Sequence, residues 1–371
     1  MVTRVTNTML QNTLLSNLNM NLGRMDKLQN QLSSGRKYGH ISDDPSALIY
    51  GQAARNKLAR LSHFSNTVET AQSWLTQAEA GVMELNKVVG AIYEELVSAG
   101  SVKTDPDKQI LGMVVGQLRD HYVDTLNTAY GDRFVFGGYN TPGDFAAGRP
   151  TEIKPFKVVN DQLFFNGFNI SQFDGLPVSE FDFAEFKRTG NWPDHSGAPA
   201  PNNPSPADFQ RLSSLMEDVV SFDVGPGINM PVTQNGIDIV FFITRDDDGN
   251  PIMRNSFDLI QEIYVAVNGD PDAGIPPKGT DELTKLIGLI QDSQNHLLTR
   301  TAEIGGRQRR LELLEARYIQ DSLNYEKMRS DAEDADLAEV IMFLKMAETV
   351  YQAALSAGAR VIQPTLMDFL R

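Results

Sequence analysis

Between Leu61 and Leu96, apolar or small residues recur at Leu61, Phe64, Val68, Ala71, Leu75, Ala78, Val82, Leu85, Val89, Ile92 and Leu96, in alternating steps of three and four. A 3.5-residue period held over about five heptads predicts a coiled-coil seam roughly 50 Å long, at 1.5 Å per residue. Such a seam needs a partner of similar length. Asp44-Pro45 and Asp105-Pro106 each read as an acidic cap followed by proline at the first helical position, so helices are expected to start at both places. The second carries Ile110, Leu111, Val114, Leu118, Tyr122, Leu126 and Ala129 and should return antiparallel through the Gly100 to Thr104 connection. A third long helix is expected from about Thr280, with Asp281 and Glu282 in its first turn and a face of Leu283, Leu286, Ile290, Leu297, Ile304, Leu311, Leu314, Tyr318 and Tyr325. This is the missing partner, so the two arms of the chain should form a bundle with the middle looped out.

The middle has a different texture. Of the 18 prolines, 15 lie between Thr141 and Asp281, where a residue without an N–H would break any long helix. The same stretch holds 9 Lys+Arg against 21 Asp+Glu, so −12 of the chain's net −15 sits there. Phe156 to Val159, Gln162 to Phe165 and Phe168 to Ile170 are short apolar runs separated by Asn160-Asp161 and Asn166-Gly167, which is hairpin chemistry. A second hairpin is expected from Ile237 to Thr244 and Pro251 to Arg254, turning over Asp246 to Asn250. Ser205-Pro206 should start a short helix with Phe209, Leu212, Met216 and Val219, and Asn191 to Pro206 reads as an exposed loop. The fold class that follows is mainly α with a β-rich insertion: a long antiparallel helical bundle or coiled coil formed by both chain ends, plus a small β-rich outer domain. Three domains are expected: 1–40 with 335–371, a terminal assembly domain; 41–140 with 281–334, a bundle; and 141–280, the outer insertion.

Both ends carry more apolar surface than one pairing can cover. Val5, Met9, Leu14, Leu15, Leu18, Leu22, Met25, Leu28 and Leu32 form a stripe that stops at Ser33-Ser34-Gly35. Leu337, Val340, Ile341, Phe343, Leu344, Ala347, Val350, Tyr351, Ala354 and Leu355 form one wider than a two-helix seam. Pairing the ends would leave apolar surface over, and a contiguous patch of that kind marks association. The expected assembly positions are Leu14, Leu18, Leu22, Leu32, Leu337, Ile341, Leu344, Ala347 and Leu355. Gly305-Gly306, costly inside a helix by about 1 kcal/mol each relative to alanine, is expected to mark a close helix approach.

Other chemistry has little to stand on. The five histidines form no i, i+4 pair and no HExxH, and Asp246-Asp247-Asp248-Gly249-Asn250 lacks the glutamate that closes a calcium loop. Phosphate cradles, dinucleotide fingerprints and nucleophile elbows are missing. Asp331, Glu333, Asp334 and Asp336 could pair carboxylates for acid–base work, but read better as a solvated face or an interface charge set. A net charge of −15 without a basic patch predicts neither nucleic-acid nor membrane binding. No apolar run approaches the ~20 residues of a membrane span, and Met1 to Asn21 lacks a signal-peptide pattern. The absence of cysteine removes disulfides and thiolate chemistry. No enzyme activity and no cofactor or metal are expected.

The motif Leu32-Ser33-Ser34-Gly35 followed by Ile41-Ser42-Asp43-Asp44-Pro45 resembles the N-terminal segment of the flagellin superfamily. Glu303-Ile304-Gly305-Gly306-Arg307, Arg310-Leu311-Glu312 and Ala335-Asp336-Leu337-Ala338-Glu339 are similar to that family's C-terminal half. The motif positions carried over are Ser33, Ser34, Gly35, Asp43, Asp44, Pro45, Trp74, Gly305 and Ala338. Pro45, Trp74, the run from Gly131 to Phe145 and the ending Thr365 to Leu370 look more like the hook-associated branch than like filament flagellins. The resemblance implies a ring of copies in the extracellular flagellum, contacting the other hook–filament junction protein on one side and flagellin on the other. It also implies unfolded export through the flagellar type III apparatus without a cleaved signal, and a cytoplasmic chaperone for the C-terminal segment. Two alternatives stay open: a filament flagellin, and a glycan-binding or enzymatic activity in the β-rich insert.

Overall fold

The computed structural model describes residues 7–40, 42–101, 105–131, 133–138, 154–177, 204–217, 219–246, 248–269 and 279–362. Val5, Ile41, the Tyr139 to Phe145 part of the motif run, most of the Asn191 to Pro206 loop and the Thr365 to Leu370 ending lie outside them. Helices α1 (Asn7–Ser34), α2 (Pro45–Ser101) and α3 (Asp105–Leu126) lead into the insert, and α7 (Thr280–Glu333) and α8 (Leu337–Ile362) follow it. The chain divides into two compact units, residues 1–63 with 316–371 and residues 64–315. The long helices α2 and α7 contribute to both.

In the 64–315 unit the seam is as the period demands: every predicted position from Val68 to Leu96 is fully buried. On α7, Leu283, Leu286, Ile290, Leu297, Ile304 and Leu311 face it. Antiparallel pairing is marked by amide and carboxylate contacts: Gln72 donates to Glu315 at 2.9 Å, Gln308 to Glu79 at 2.9 Å and Gln291 to the Tyr93 hydroxyl at 3.3 Å. Partners advance on one helix as they retreat on the other, so the register does not slip. Gly305 and Gly306 leave α7 unbroken, but a Cβ at either would meet nothing within 4 Å. The close approach expected there does not occur among the described residues.

Small antiparallel sheets follow α3, the first of them before the insert begins. Strands β1 (Ala129–Tyr130) and β2 (Arg133–Phe134) form a minimal hairpin, so Ala129 belongs to a strand and not to α3. Trp74, buried on α2, stacks edge-on against Tyr130 at 6.1 Å, which makes this motif residue a core anchor. β3 (Phe156–Val159), β4 (Gln162–Phe165) and β5 (Phe168–Asn169) form a meander. Its turns use positive φ at Asn160, Asp161, Asn166 and Gly167, as two-residue hairpins of that hand require. Ile170 lies beyond the strand, leading into a 3₁₀ turn over Ser171–Phe173. The carbonyl of Phe136 accepts from Gly236 N–H at 3.1 Å, and its ring packs where a Cβ on Gly81 would lie, 2.8 Å away.

Helix α4 (Pro206–Met216) starts on a Ser205/Asp208 capping box, and Val219 falls outside it. β6 (Leu176–Pro177), β10 (Pro251–Asn255) and β9 (Phe241–Arg245) form a second sheet, and β7 (Ser221–Gly225) with β8 (Ile228–Pro231) a hairpin that the apolar pattern does not announce. Ile237 to Val240 belongs not to a strand but to the helical turn α5 (Gly236–Val240), because Asn235 caps it with its side-chain oxygen on Ile237 N–H. Asp246 uses its carboxylate on the backbone N–H groups of Asp248 and Asn250, at 3.0 and 2.7 Å, as a hairpin turn does. Helix α6 (Ser256–Asn268), with an Asn255 cap, lies antiparallel against α3 through Gly112/Asn268, Gly116/Tyr264 and Arg119/Gln261. The insert therefore contributes a helix to the bundle, beyond the outer β-rich part expected of it.

Candidate assembly interface

The other unit is built on α1 and α8. Apart from Gln31 and Glu348, the described positions at least half-buried on α1 fall at Leu14, Leu18, Asn21, Met25, Leu28 and Leu32, and on α8 at Val340, Leu344, Ala347, Tyr351, Ala354 and Gly358. Both sets step by four and three, the spacing of a narrow two-helix seam. The helices run antiparallel and approach closely at Gly358, where a Cβ would lie 2.6 Å from Leu14 Cδ2.

Two chain breaks meet at the other end of this seam. α1 stops because Gly35 takes φ +69, a left-handed conformation natural to glycine, with its N–H returned to Gln31 O at 2.9 Å. Ser33 and Ser34 turn their hydroxyls back onto the Asn30 carbonyl, at 3.1 and 2.7 Å. α7 stops at Glu333, and Asp336 caps α8 by accepting from the N–H groups of Ala338 and Glu339 at 3.0 and 3.3 Å. The two breaks are stitched by a strand-like bridge: Ala335 N–H donates to Gly35 O at 2.8 Å and Lys37 N–H to Glu333 O at 2.7 Å.

The motif acids serve this joint. Asp44 takes the N–H groups of Ala47 and Ser46, at 3.0 and 3.1 Å, which starts α2 at Pro45 and holds its carboxyl below the ordinary range. Asp43 is held low by Lys27, 3.0 Å away, and by the His40 N–H. Beneath them Glu333 is buried and paired with Arg55. Tyr38 is buried beside it, and burial followed by the Glu333 charge pushes its hydroxyl pKa up. Gly51 makes room for Glu333, since a Cβ there would fall against Oε1 and lie 2.8 Å from Cγ. Nothing in the periodicity points to Gly51, Arg55 or Tyr38. The acidic cluster that suggests paired carboxylates is instead a cap, a bridge and one buried ion pair.

The expected assembly positions separate into two sets. Leu14, Leu18, Leu32, Leu344 and Ala347 lie in the α1–α8 seam, whereas Leu22, Leu337, Ile341 and Leu355 lie outside it and are exposed. With them Met342, Phe343, Met346 and Val350 leave α8 apolar on its outer side. Of the carried-over motif positions, Pro45, Ser33, Ser34 and Ala338 are exposed at the joint, and Gly305 lies elsewhere, on α7. Among the described residues, only Tyr38, Ala54, Tyr318, Val340 and Ala347 are buried apolar side chains of this unit, while all the others belong to residues 64–315. It is a unit almost without a core of its own.

A cleft of about 320 Å³ lies in the 64–315 unit, lined by Met216, Phe241, Phe242, Met253, Asp292 and His296 among others. His296 donates from Nε2 to the Asp238 carbonyl at 2.7 Å, and burial presses its pKa down to about 4. Among the described residues no cluster of three metal-ligating side chains occurs, and no helix is long and apolar enough to cross a membrane.

Residues 5–141 match the bacterial flagellin N-terminal helical region. The chain is 21% identical to flagellar hook-associated protein 3 of Salmonella typhimurium, over 95% of this chain and 94% of that one. It is 22% identical to the protein of the same name from Escherichia coli, over 89% and 88%. The fold is similar to that of a putative flagellar hook-associated protein from Vibrio parahaemolyticus, with TM-score 0.54 and 15% identity over 79% of this chain and all of that one. By contrast, a flagellin of Clostridium tyrobutyricum matches over 33% of each chain, at 24% identity. The chain is thus similar to the bacterial flagellin N-terminal helical region over residues 5–141, and over nearly its whole length to flagellar hook-associated protein 3.

Proposed function

We propose that this protein is a structural, non-catalytic subunit of the bacterial flagellum, a junction protein that connects the hook side to the filament outside the cell. The observation that carries the reading is the unit of residues 1–63 and 316–371, which exposes the apolar outer side of α8 and buries few side chains of its own. Segments of this kind gain order by packing against neighbours, because burial shared between copies offsets an ordering cost that one copy cannot meet. Similarity along almost the whole length to hook-associated protein 3, against a third of the length to a flagellin, favours the junction over the filament.

In this reading residues 1–40 with 335–371 are the assembly domain, 41–140 with 281–334 the supporting bundle and 141–280 the outer insertion. The partners are further copies in a ring, the second junction protein, flagellin, and an export chaperone for the C-terminal segment. The chain travels unfolded, without a cleaved signal. Deleting the gene tests the role: flagellin should still be made and should accumulate unassembled in the medium. A strain that lacks the filament subunit itself would instead identify the protein as flagellin.

Two further outcomes are expected. Hydrogen exchange on the purified monomer should find α1 and α8 poorly protected beside the Val68 to Leu96 seam. Strong protection of both would remove the case for ordering on assembly. Ile341→Glu with Met346→Glu should abolish incorporation into flagella while leaving the unfolding midpoint of the 64–315 unit unchanged, since neither side chain is buried in the monomer.

A further inference from the structure

The 3₁₀ turn over Ser171–Phe173 fastens the β3–β5 meander to α6 through a single hydroxyl. Ser171 Oγ accepts from the Leu163 N–H on β4 at 2.8 Å and donates to Asp258 Oδ1 on α6 at 2.7 Å. Asp258 is the third residue of α6, where a carboxylate ordinarily reaches back to the backbone N–H of the capping residue. Here that N–H belongs to Asn255 and goes to Asp174 instead, at 2.6 Å. Asp258 Oδ2 is left buried, without a partner among the described residues.

The charges around it do not balance. Three carboxylates meet here, Asp174 just after the turn and Asp258 and Glu262 on α6, around the guanidinium of Arg254 on β10. Arg254 donates to Asp174 at 3.1 Å and to Glu262 at 2.8 Å. Among the described residues, the other elements packed nearby bring no second cation to Asp258. α3 presents Arg119 to α6, but at Gln261, and its charge is paired with Asp120 and Asp161. α4 places Arg211 over the Phe168 ring, 5.0 Å from its centre, and α7 meets the start of α6 through Ser293, 2.8 Å from Ser256 Oγ. An ionised Asp258 thus adds a buried negative charge beside Asp174, with one oxygen unsolvated. Burial accordingly holds its carboxyl well above the ordinary range, and Asp174 adds to the rise against the Ser171 hydrogen bond and Arg254.

We propose that the Ser171–Asp258 hydrogen bond is a proton-dependent latch: it holds the meander on α6 while Asp258 keeps its proton, and loosens when that proton leaves. Between a pKa of 3.8 in the open form and about 7 in the latched form, the latched form binds one more proton, so opening rises about tenfold per pH unit. Below 3.8 both forms are protonated and the latch is tightest; above about 7 both are ionised and the loosening is complete. The latch lies wholly within the 64–315 unit and does not depend on the assembly role.

Hydrogen exchange on the full-length monomer tests it at the Leu163 amide, whose bond to Ser171 Oγ is lost when the latch opens. Relative to the intrinsic rate, its protection should fall about tenfold per pH unit from about pH 5 to 7 and level off above. Amides of the Val68 to Leu96 seam should not share that slope, because His296 opposes Asp258 in global unfolding. Asp258→Asn keeps an oxygen for Ser171 and has no proton to release, so its Leu163 protection should stay constant. Carbon-13 detection of the Asp258 carboxyl should find its midpoint in the window where wild-type protection is lost. Constant Leu163 protection in the wild type, an equal fall in Asp258→Asn, or an Asp258 midpoint at about 4, the ordinary carboxylate value, would each overturn the latch. Should Asp258→Asn fail to fold, the wild-type exchange profile and carboxyl titration decide between the same outcomes.

Discussion

Replacing Gly51 by valine should strip the α1–α8 pair of what protection it has and remove the protein from the flagellum. The cause is local. Glu333 Cγ and Oε1 occupy the space any larger side chain at 51 would need, and the clash involves the body of the side chain as well as its tip. Moving Glu333 breaks its pair with Arg55 and disturbs the backbone whose carbonyl accepts from Lys37. Overpacking of this kind costs about 1–3 kcal/mol, and stranding a buried carboxylate adds to it. Arg55 is partly exposed, which lowers the second contribution. A unit with so few buried side chains has little reserve, so the loss should appear as local unfolding of residues 7–34 and 337–358, read by hydrogen exchange. The 64–315 unit should keep its midpoint. Normal incorporation of Gly51→Val would show that the Glu333 joint is dispensable.

The second large effect is one of pH. Asp258 lies at the start of α6, with Ser171 donating to Oδ1 at 2.7 Å and Oδ2 buried without a partner among the described residues. Burial raises its pKa from 3.8 to about 7, with Asp174 adding to the rise and Arg254 opposing it. The folded state thus holds a proton that the unfolded state releases, so this group's stabilisation is full below about 3.8 and is lost as pH rises to about 7. His296 acts in the opposite sense. Burial lowers its pKa from 6.5 to about 4, with Arg300 adding to that and Asp238 and Glu303 opposing it. Its contribution is full above about 6.5 and fades as pH falls toward about 4.

One proton each, in opposite directions, should make the contributions of these two groups nearly cancel between these limits, so their slopes emerge only singly. Asp258→Asn should make stability climb with pH across this window, by up to about 1.4 kcal/mol per pH unit. His296→Gln should make it fall by a similar amount. Urea unfolding at a series of pH values reads both, and parallel profiles for wild type and variants would contradict the burial argument.

What can be read in advance depends on whether the cause is periodic. The Val68 to Leu96 seam, its α7 partner and the Asp44-Pro45 start are legible because spacing and capping are local properties of the chain. The Asn160-Asp161 and Asn166-Gly167 turns are legible for the same reason. Ile237 to Val240 reads as strand because a short apolar run fits strand and helix alike, and only the Asn235 cap decides between them. Helix α6 escapes a reading of the insert because its apolar face answers to α3, some 140 positions earlier. Gly51 and Glu333, which hold the joint, are 282 positions apart, and no window along the chain contains both. Gly305-Gly306 reads as a close helix approach, whereas among the described residues nothing lies within 4 Å of a Cβ at either position, because glycine spacing does not tell a packed surface from an open one.

The long separations have a kinetic side. The hydrogen bonds that align α2 with α7 join residues 243 and 229 positions apart, so their formation waits on the closure of very large loops. Whatever settles early in the insert, the rod of paired helices cannot close until Glu315 has arrived. A polypeptide emerging from a narrow conduit would stay pliable for most of its passage, and would stiffen late, close to where it is needed.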